Sequence, residues 1–262
     1  MVMLISKGEV SDVEKLHMKW IAQRKYDGVL AVAICVDGYT KILGRNGTDL
    51  TKRFPKIAEE MSRFNGSYMG EIICDTFKHT CSRAKTENTL KSNLLVDEYP
   101  AKFMVFDKIV DKIYFERVKE LNEDFLQNTQ TLEQFKFIEI VESFGDAIGL
   151  WERAKKENWE GIILKNPQGL YEDKRTKSQL KVKRVKSKDI SFVRFEENNA
   201  GVKCFSDDDF HKVQVSGSQS VAVKENIENT GSCMIEVEYL EEFETGKLRL
   251  PVCKEVKSDN KL

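Results

Sequence analysis

Lys25-Tyr26-Asp27-Gly28 sets a lysine two residues ahead of a carboxylate, directly before the apolar run Val29–Val36, which has the composition of a buried strand. A lysine attacks an electrophile only where burial or neighbouring positive charge favours its neutral amine. Taken alone, the four residues equally describe a solvated turn, because Asp-Gly is a preferred turn pair. The chemistry therefore depends on partners elsewhere in the chain. Leu180 and Val182 alternate with Lys181 and Lys183, and strand periodicity turns both lysines to one face, where they can converge on a single anion. In Gly44-Arg45-Asn46-Gly47, glycines after a strand let a guanidinium and backbone approach an anion. Glu71 and Glu160 each stand at the edge of a short apolar strand, positions from which a carboxylate can hold Mg2+ or a ribose hydroxyl. Phe106 is an aromatic on a strand-like segment, suited to core packing or to base stacking.

The elements that must position these groups read as mixed α and β, followed by nearly all β. Strands are expected at 29–36, 39–43, 67–74, 101–110, 137–141 and 161–164, with helical spacing at 51–64 (from Pro55 onward), 115–127 and 146–157. Segment 11–22 has an amphipathic pattern, with Ser11 and Glu14 in capping-box spacing. After Ser187 the helical pattern stops. Short strand-like segments at 190–195, 202–205, 211–215, 221–223, 234–239 and 248–252, joined by turn residues, suit a small OB-type barrel. The change of texture at 186–190 divides the chain into domains 1–187 and 188–262.

Composition bounds the reading further. The chain has 262 residues, 32% charged and 40% hydrophobic, which is the profile of a globular protein of one or two domains. No apolar run is long enough to span a membrane, and the N-terminus has no signal-peptide pattern. Six dispersed cysteines without a Cys-x-x-Cys pair point to reduced thiols in a cytoplasmic setting. The net charge of −1 conceals an asymmetry: from Asp189 onward there are nine basic and fifteen acidic residues, whereas the preceding part carries a balance of +5. Eight basic and no acidic residues lie between Lys174 and Lys188, in either a solvated basic face or one that meets phosphates.

The order Lys25-x-Asp27-Gly28, Arg45-x-Gly47, Gly70-Glu71-Ile72, Phe106-Asp107, Glu160-Gly161-Ile162-Ile163-Leu164-Lys165 and Leu180-Lys181-x-Lys183 resembles the motif series of the covalent nucleotidyltransferases. These are ATP-dependent DNA ligases, RNA ligases and mRNA capping enzymes. Segment 44–55 and Arg249-Leu250-Pro251-Val252 look most like a compact DNA ligase of the viral or bacteriophage kind. The resemblance implies an α+β fold: an ATP-grasp-like adenylation domain of antiparallel sheets with helices, then a small all-β OB-fold domain. It implies an ATP-dependent enzyme, monomeric, that seals 3′-OH/5′-phosphate nicks in duplex DNA through a lysyl-AMP intermediate. Lys25 would be the nucleophile, with Lys181 and Lys183 on the phosphates and Asp27 orienting the site. Glu160 and Glu71 would hold Mg2+ or Mn2+, and Glu71 would reach the ribose. Phe106 would stack on adenine, Arg45 would hold ribose or nick phosphate, and Arg175 would contact DNA.

Two positions depart from that pattern. Leu30 stands where DNA ligases commonly carry arginine, and Lys257 aligns with a terminal arginine, so a pyrophosphate-orienting role for Lys254 or Lys257 is open. In the acidic second domain, Arg194, Lys203, Lys212 and Lys224 serve DNA only if they share one face. The alternatives are an RNA ligase, which typically lacks the OB domain, a GTP-using capping enzyme, and a catalytically dead nucleic-acid-binding module.

Overall fold

The computed structural model describes residues 3–86, 98–129 and 135–257. Its contacts divide the chain into two units, Met1–Lys183 and Arg184–Leu262. The division precedes the change of texture at 186–190 because the strand beginning at Lys186 already pairs within the second unit.

The first unit is built from two sheets. In the larger, β3 (Val29–Val36), β4 (Tyr39–Gly44), β5 (Gly66–Ile73), β6 (Lys102–Lys108) and β7 (Ile138–Ile140) lie in the order β4-β3-β5-β6-β7, antiparallel except for the β6–β7 pair. In the smaller, β1 (Leu4–Lys7), β2 (Ile21–Lys25), β8 (Gly161–Lys165) and β9 (Arg175–Lys183) lie in the order β1-β9-β8-β2, with β1 parallel to β9. Each sheet thus includes one parallel pair in addition to the expected antiparallel ladders.

Helices cover one side of each sheet. Helix α1 (Val10–Leu16) precedes β2, and α2 (Pro55–Met61) begins at Pro55 after a single 3-10 turn. Pro55 fits there because the first helical N–H has no intrahelical partner to lose. Helix α3 (Phe77–Lys85) follows β5, capped by the Thr76 side chain. Helix α4 (Tyr114–Thr129) turns Leu121 and Phe125 inward to meet Ile57, Met61, Phe64 and Phe103 in the core of the larger sheet. Helix α5 (Ala147–Lys156) is capped by Asp146, whose carboxylate accepts the Gly149 N–H at 2.7 Å. Its Leu150, Trp151 and Ala154 pack with Val13 of α1 on Ala22, Ile162 and Leu164 of the smaller sheet.

Segment 11–22 is therefore not one helix. Chain reversal ends α1 at Leu16, and Ile21 already belongs to β2. The cap is two residues earlier than expected, at Glu9, whose N–H donates to Asp12 at 2.8 Å.

In the second unit, β10 (Lys186–Phe192), β11 (Arg194–Asn198), β12 (Gly201–Phe205) and β13 (Lys212–Val215) precede α6 (Ser218–Thr230), with β14 (Cys233–Tyr239), β15 (Glu241–Glu242), β16 (Leu248–Arg249) and β17 (Val252–Val256) after it. The sheets β10-β14-β17 and β11-β12-β13 enclose Phe192, Val202, Val213, Ile235 and Val237. The strand expected at 221–223 is instead the interior of α6, and Val223 is that helix's buried anchor. No helix among the described residues is long and apolar enough to cross a membrane.

Candidate active site

A cleft of about 230 Å3 is lined by residues of both sheets of the first unit. The smaller sheet contributes Lys25, Ile163, Lys165, Lys181 and Lys183, because alternation along β8 and β9 sends every second side chain toward the cleft. The larger sheet contributes Leu30, Met69, Glu71 and Phe106. Arg45, in the turn after β4, and Arg175, at the start of β9, also border it. Of the sequence-predicted site residues, Asp27 and Glu160 are the two that do not line the cleft itself. Glu160 nevertheless touches two residues that do, and the charge of Asp27 is felt at Glu71.

Three strands meet at one rung to make the centre of the site. Lys25 of β2 is registered with Gly161 of β8, and Gly161 with Lys183 of β9. Gly161 has φ +153°, and a Cβ there would strike the Val182 carbonyl oxygen, so only glycine lets the strands close at this rung. Gly28 is similarly placed, since a Cβ would strike the Ile72 carbonyl oxygen. The carboxylate of Glu160 then takes two ammonium groups. Lys25 Nζ donates to one oxygen, and Lys183 Nζ lies 2.9 Å from the other. Only 7% of the Glu160 side chain is exposed, and a buried carboxylate needs such pairing.

The titratable neighbours are perturbed by burial above all. Glu71 is pushed up to about 7, mainly by desolvation and further by Glu160 and Asp27, against the opposing pull of Lys25 and the Gly28 amide. Lys181 is lowered by burial and then by the charges of Lys183, Lys25 and Arg175. A carboxyl raised and an ammonium lowered in the same cleft are a combination suited to proton-transfer and phosphate chemistry.

Phe106 borders the cleft on β6. Lys165 Nζ sits 4.6 Å from the centroids of Phe106 and Tyr114 and donates to the Phe106 carbonyl at 3.1 Å. Lys165 is 1% exposed and is lowered to about 7 by desolvation. It belongs to the Glu160–Lys165 motif, but no role was read for it from the sequence. The signal was available, because positions 163 and 165 share the strand face that Gly161 turns to the site. Gln23 and Gln179, both buried, also line the cleft without having been anticipated. Behind Phe106, the fully buried Asp107–Arg117 pair, 2.8 Å apart, ties β6 to α4, and Arg117 also donates to the Lys112 and Gly169 carbonyls.

Leu30 is registered opposite Glu71 on β5 and packs with Met3 and Met69. The position that DNA ligases commonly give to arginine is thus an apolar wall, which contributes to the desolvation of Glu71. The Arg175 guanidinium donates to the Ile5 carbonyl at 2.6 Å, which fixes the start of β9 against β1.

In the second unit, Arg194, Lys203 and Lys212 gather over Phe205 at 3.8, 5.7 and 5.1 Å from its ring centroid. These three share one sheet face. Lys224 lies on α6, paired with Glu197 at 2.6 Å. Lys254 and Lys257 are paired with Glu236 and Asp189.

A candidate metal centre fits Glu160 and Glu71 by donor chemistry. Among the described residues no three His, Cys, Asp or Glu side chains form a metal-binding group. Mg2+ commonly needs only one or two carboxylates together with phosphate oxygens and water.

The family model for the ATP dependent DNA ligase domain matches residues 3–183. DNA ligase 2 of Korarchaeum cryptofilum is 24% identical over 183 residues, covering 61% of this chain and 30% of the relative. The chain spans about a third or less of the length of the curated relatives it matches. Among solved structures, Pmar-Lig_Pre superposes with a TM-score of 0.77 at 18% identity, over 97% of this chain and 67% of that one. A structure from a study of Lig E DNA ligases, described as DNA binding with a minimal scaffold, gives 0.71 at 15% identity, over 98% and 100%. At these identities the structures establish likeness of fold, with a ligase adenylation domain followed by an OB-fold domain.

Proposed function

The chain belongs to the ATP-dependent DNA ligase domain family, and from that premise we propose that it is an ATP-dependent DNA ligase working through Lys25. The observation that carries the reading is the rung Lys25–Gly161–Lys183 closed by Glu160, at the head of a cleft lined by Lys181, Glu71 and Phe106.

Lys25 Nζ attacks the α-phosphorus of ATP. The N–P bond forms, the bond to the β-phosphate oxygen breaks, and pyrophosphate leaves. The ammonium must first lose a proton, and the Glu160 carboxylate bonded to it is the acceptor in reach. Lys181 and Lys183 neutralise charge that builds on the phosphate. Phe106 gives the base an apolar face, with Arg45 and Glu71 at the sugar. Asp27 orients the site through its charge beside Glu71. A Mg2+ or Mn2+ ion held by Glu160 and Glu71 would supply further charge stabilisation at the phosphates. The AMP then passes to the 5′-phosphate of nicked duplex DNA, and the 3′-hydroxyl attacks that phosphate and expels AMP. Arg175 and Arg45 at the cleft border, and the Arg194–Lys203–Lys212 face of the second unit, are the proposed phosphate contacts. We read the enzyme as a monomer in a reducing, cytoplasmic setting, in keeping with its six free cysteines.

The test is incubation with α-labelled ATP and Mg2+ followed by denaturing electrophoresis. An acid-labile labelled adduct is expected on the wild type and none on Lys25→Ala. Label from GTP, or label surviving in the variant, would overturn the assignment. Sealing of nicked duplex DNA compared with single-stranded RNA then decides between a DNA and an RNA ligase.

A further inference from the structure

Lys25 and Glu160 are held together on one face of the β2–β8 pair, and the reverse face carries a structure of its own. Arg24 and Tyr26 both border the cleft, but Arg24 precedes Lys25 on β2, so strand alternation sends its side chain away from that of Lys25. Its guanidinium lies 4.6 Å from the ring centroid of Tyr26 and 4.5 Å from that of Trp159. Tyr26 is the residue after Lys25, and Trp159 is the residue before Glu160. One planar cation therefore spans the two residues that flank the nucleophile and its carboxylate. Trp159 is buried, packed among Ala22, Ala154 and Ile162, so it forms a fixed shelf. Arg24 Nε is buried without a hydrogen-bond acceptor, and the rings on either side hold the group at that point. Glu157 and, near Tyr26, Glu139 and Glu142 supply compensating negative charge, while Arg153 lies 5.1 Å from the Trp159 ring.

We propose that Arg24 is a positioning residue for adenylation: by bridging Tyr26 and Trp159 it sets the separation and orientation of Lys25 and Glu160 on the other face of the strands. The inference rests on the adenylation reading above. Lys25 belongs to the last ladder pair of β2, opposite Gly161, and the chain leaves the strand directly after it at Tyr26, so the stack on Tyr26 fixes the strand end that carries the nucleophile. A misplacement of about 1 Å at a reacting group costs on the order of 10²-fold in rate. Stacking on two rings needs a flat, delocalised cation, which lysine does not supply.

The experiment measures single-turnover lysyl-AMP formation across ATP concentration, using the full chain and its Arg24→Met, Arg24→Lys, Trp159→Phe and Arg153→Ala variants. Arg24→Met is expected to lower the rate at saturating ATP by on the order of 10²-fold while the half-saturating ATP concentration stays near wild type, because no contact with the nucleotide is lost. Arg24→Lys should fall between Arg24→Met and wild type. Arg153→Ala should react like wild type, because Arg153 touches the same tryptophan without reaching Tyr26. If Arg24→Met folds poorly, Trp159→Phe keeps an aromatic shelf and should show a smaller fall in rate at a near-wild-type melting temperature. The proposal is overturned if Arg24→Met reacts at the wild-type rate per folded molecule, if its loss appears only in ATP affinity, or if Arg153→Ala falls as far. A wild type that forms no adduct would instead remove the adenylation reading itself.

Discussion

Replacing Lys165 by methionine should make the first unit more stable at low pH and slightly less stable at high pH. Lys165 is buried to 1% exposure, and its single hydrogen bond among the described contacts runs to the Phe106 carbonyl at 3.1 Å. Burial lowers its ammonium from 10.5 to about 7. At 1.36 kcal/mol per pH unit, that fall corresponds to about 5 kcal/mol between charged and neutral forms. The folded state disfavours the proton, so the contribution of Lys165 is best above about pH 10.5 and is lost as pH falls through about 7. Methionine has a similar length and no charge to bury. It should therefore gain up to about 5 kcal/mol below pH 7, reduced by roughly 1 kcal/mol for the lost hydrogen bond. Only above about pH 10.5 does that loss alone remain, and near pH 10 the two effects roughly cancel. Urea unfolding between pH 6 and 10, followed by tryptophan fluorescence, reads the first unit selectively, since Trp20, Trp151 and Trp159 all lie there. A difference between variant and wild type that does not change with pH would refute the reasoning, and so would a variant less stable than wild type at pH 6.

Glu71→Gln should become progressively more stable than wild type as pH rises from 4.5 to about 7, by about 3 kcal/mol, with no further change above. The raised carboxyl favours the fold below its ordinary range and loses that contribution through about 7, which the same unfolding series measures. Asp107→Ala strands the buried Arg117 guanidinium and should cost about 3–5 kcal/mol, seen as a large fall in melting temperature. Gly161→Ala should both lower the melting temperature, by more than about 1 kcal/mol in stability, and abolish lysyl-AMP formation, because the added Cβ meets the Val182 carbonyl and parts Lys25 from Lys183.

Much of the first unit was legible from its sequence because hydrophobic period and site chemistry coincide there. Val29–Val36 is a buried strand, Pro55 starts a helix, and Lys181 and Lys183 share a cleft-lining face. Segment 11–22 misled because apolar residues at helical spacing continue past the chain reversal into β2, and periodicity does not register a turn. Segment 221–223 misled differently: Val-Ala-Val is apolar with two β-branched residues, yet it sits within α6, where packing of Val223 outweighs a weak local preference. The pairing of both Lys25 and Lys183 with one Glu160 was not readable. It arises from strand register between segments far apart in the chain, on which local pattern is silent. The same holds for the Arg24 stack and the burial of Lys165.

The rung that joins Lys25, Gly161 and Lys183 also bears on how the protein matures. The partners Lys25 and Glu160 are 135 residues apart in sequence, so their pairing waits until most of the first unit has been synthesised, and non-local closures of this kind form late and slowly. A one-residue slip of β2 against β8 would turn the nucleophile to the opposite face. A nascent or misregistered chain thus has the lysine without the geometry that makes it reactive, and reactivity toward ATP becomes a report that the smaller sheet has closed in its correct register.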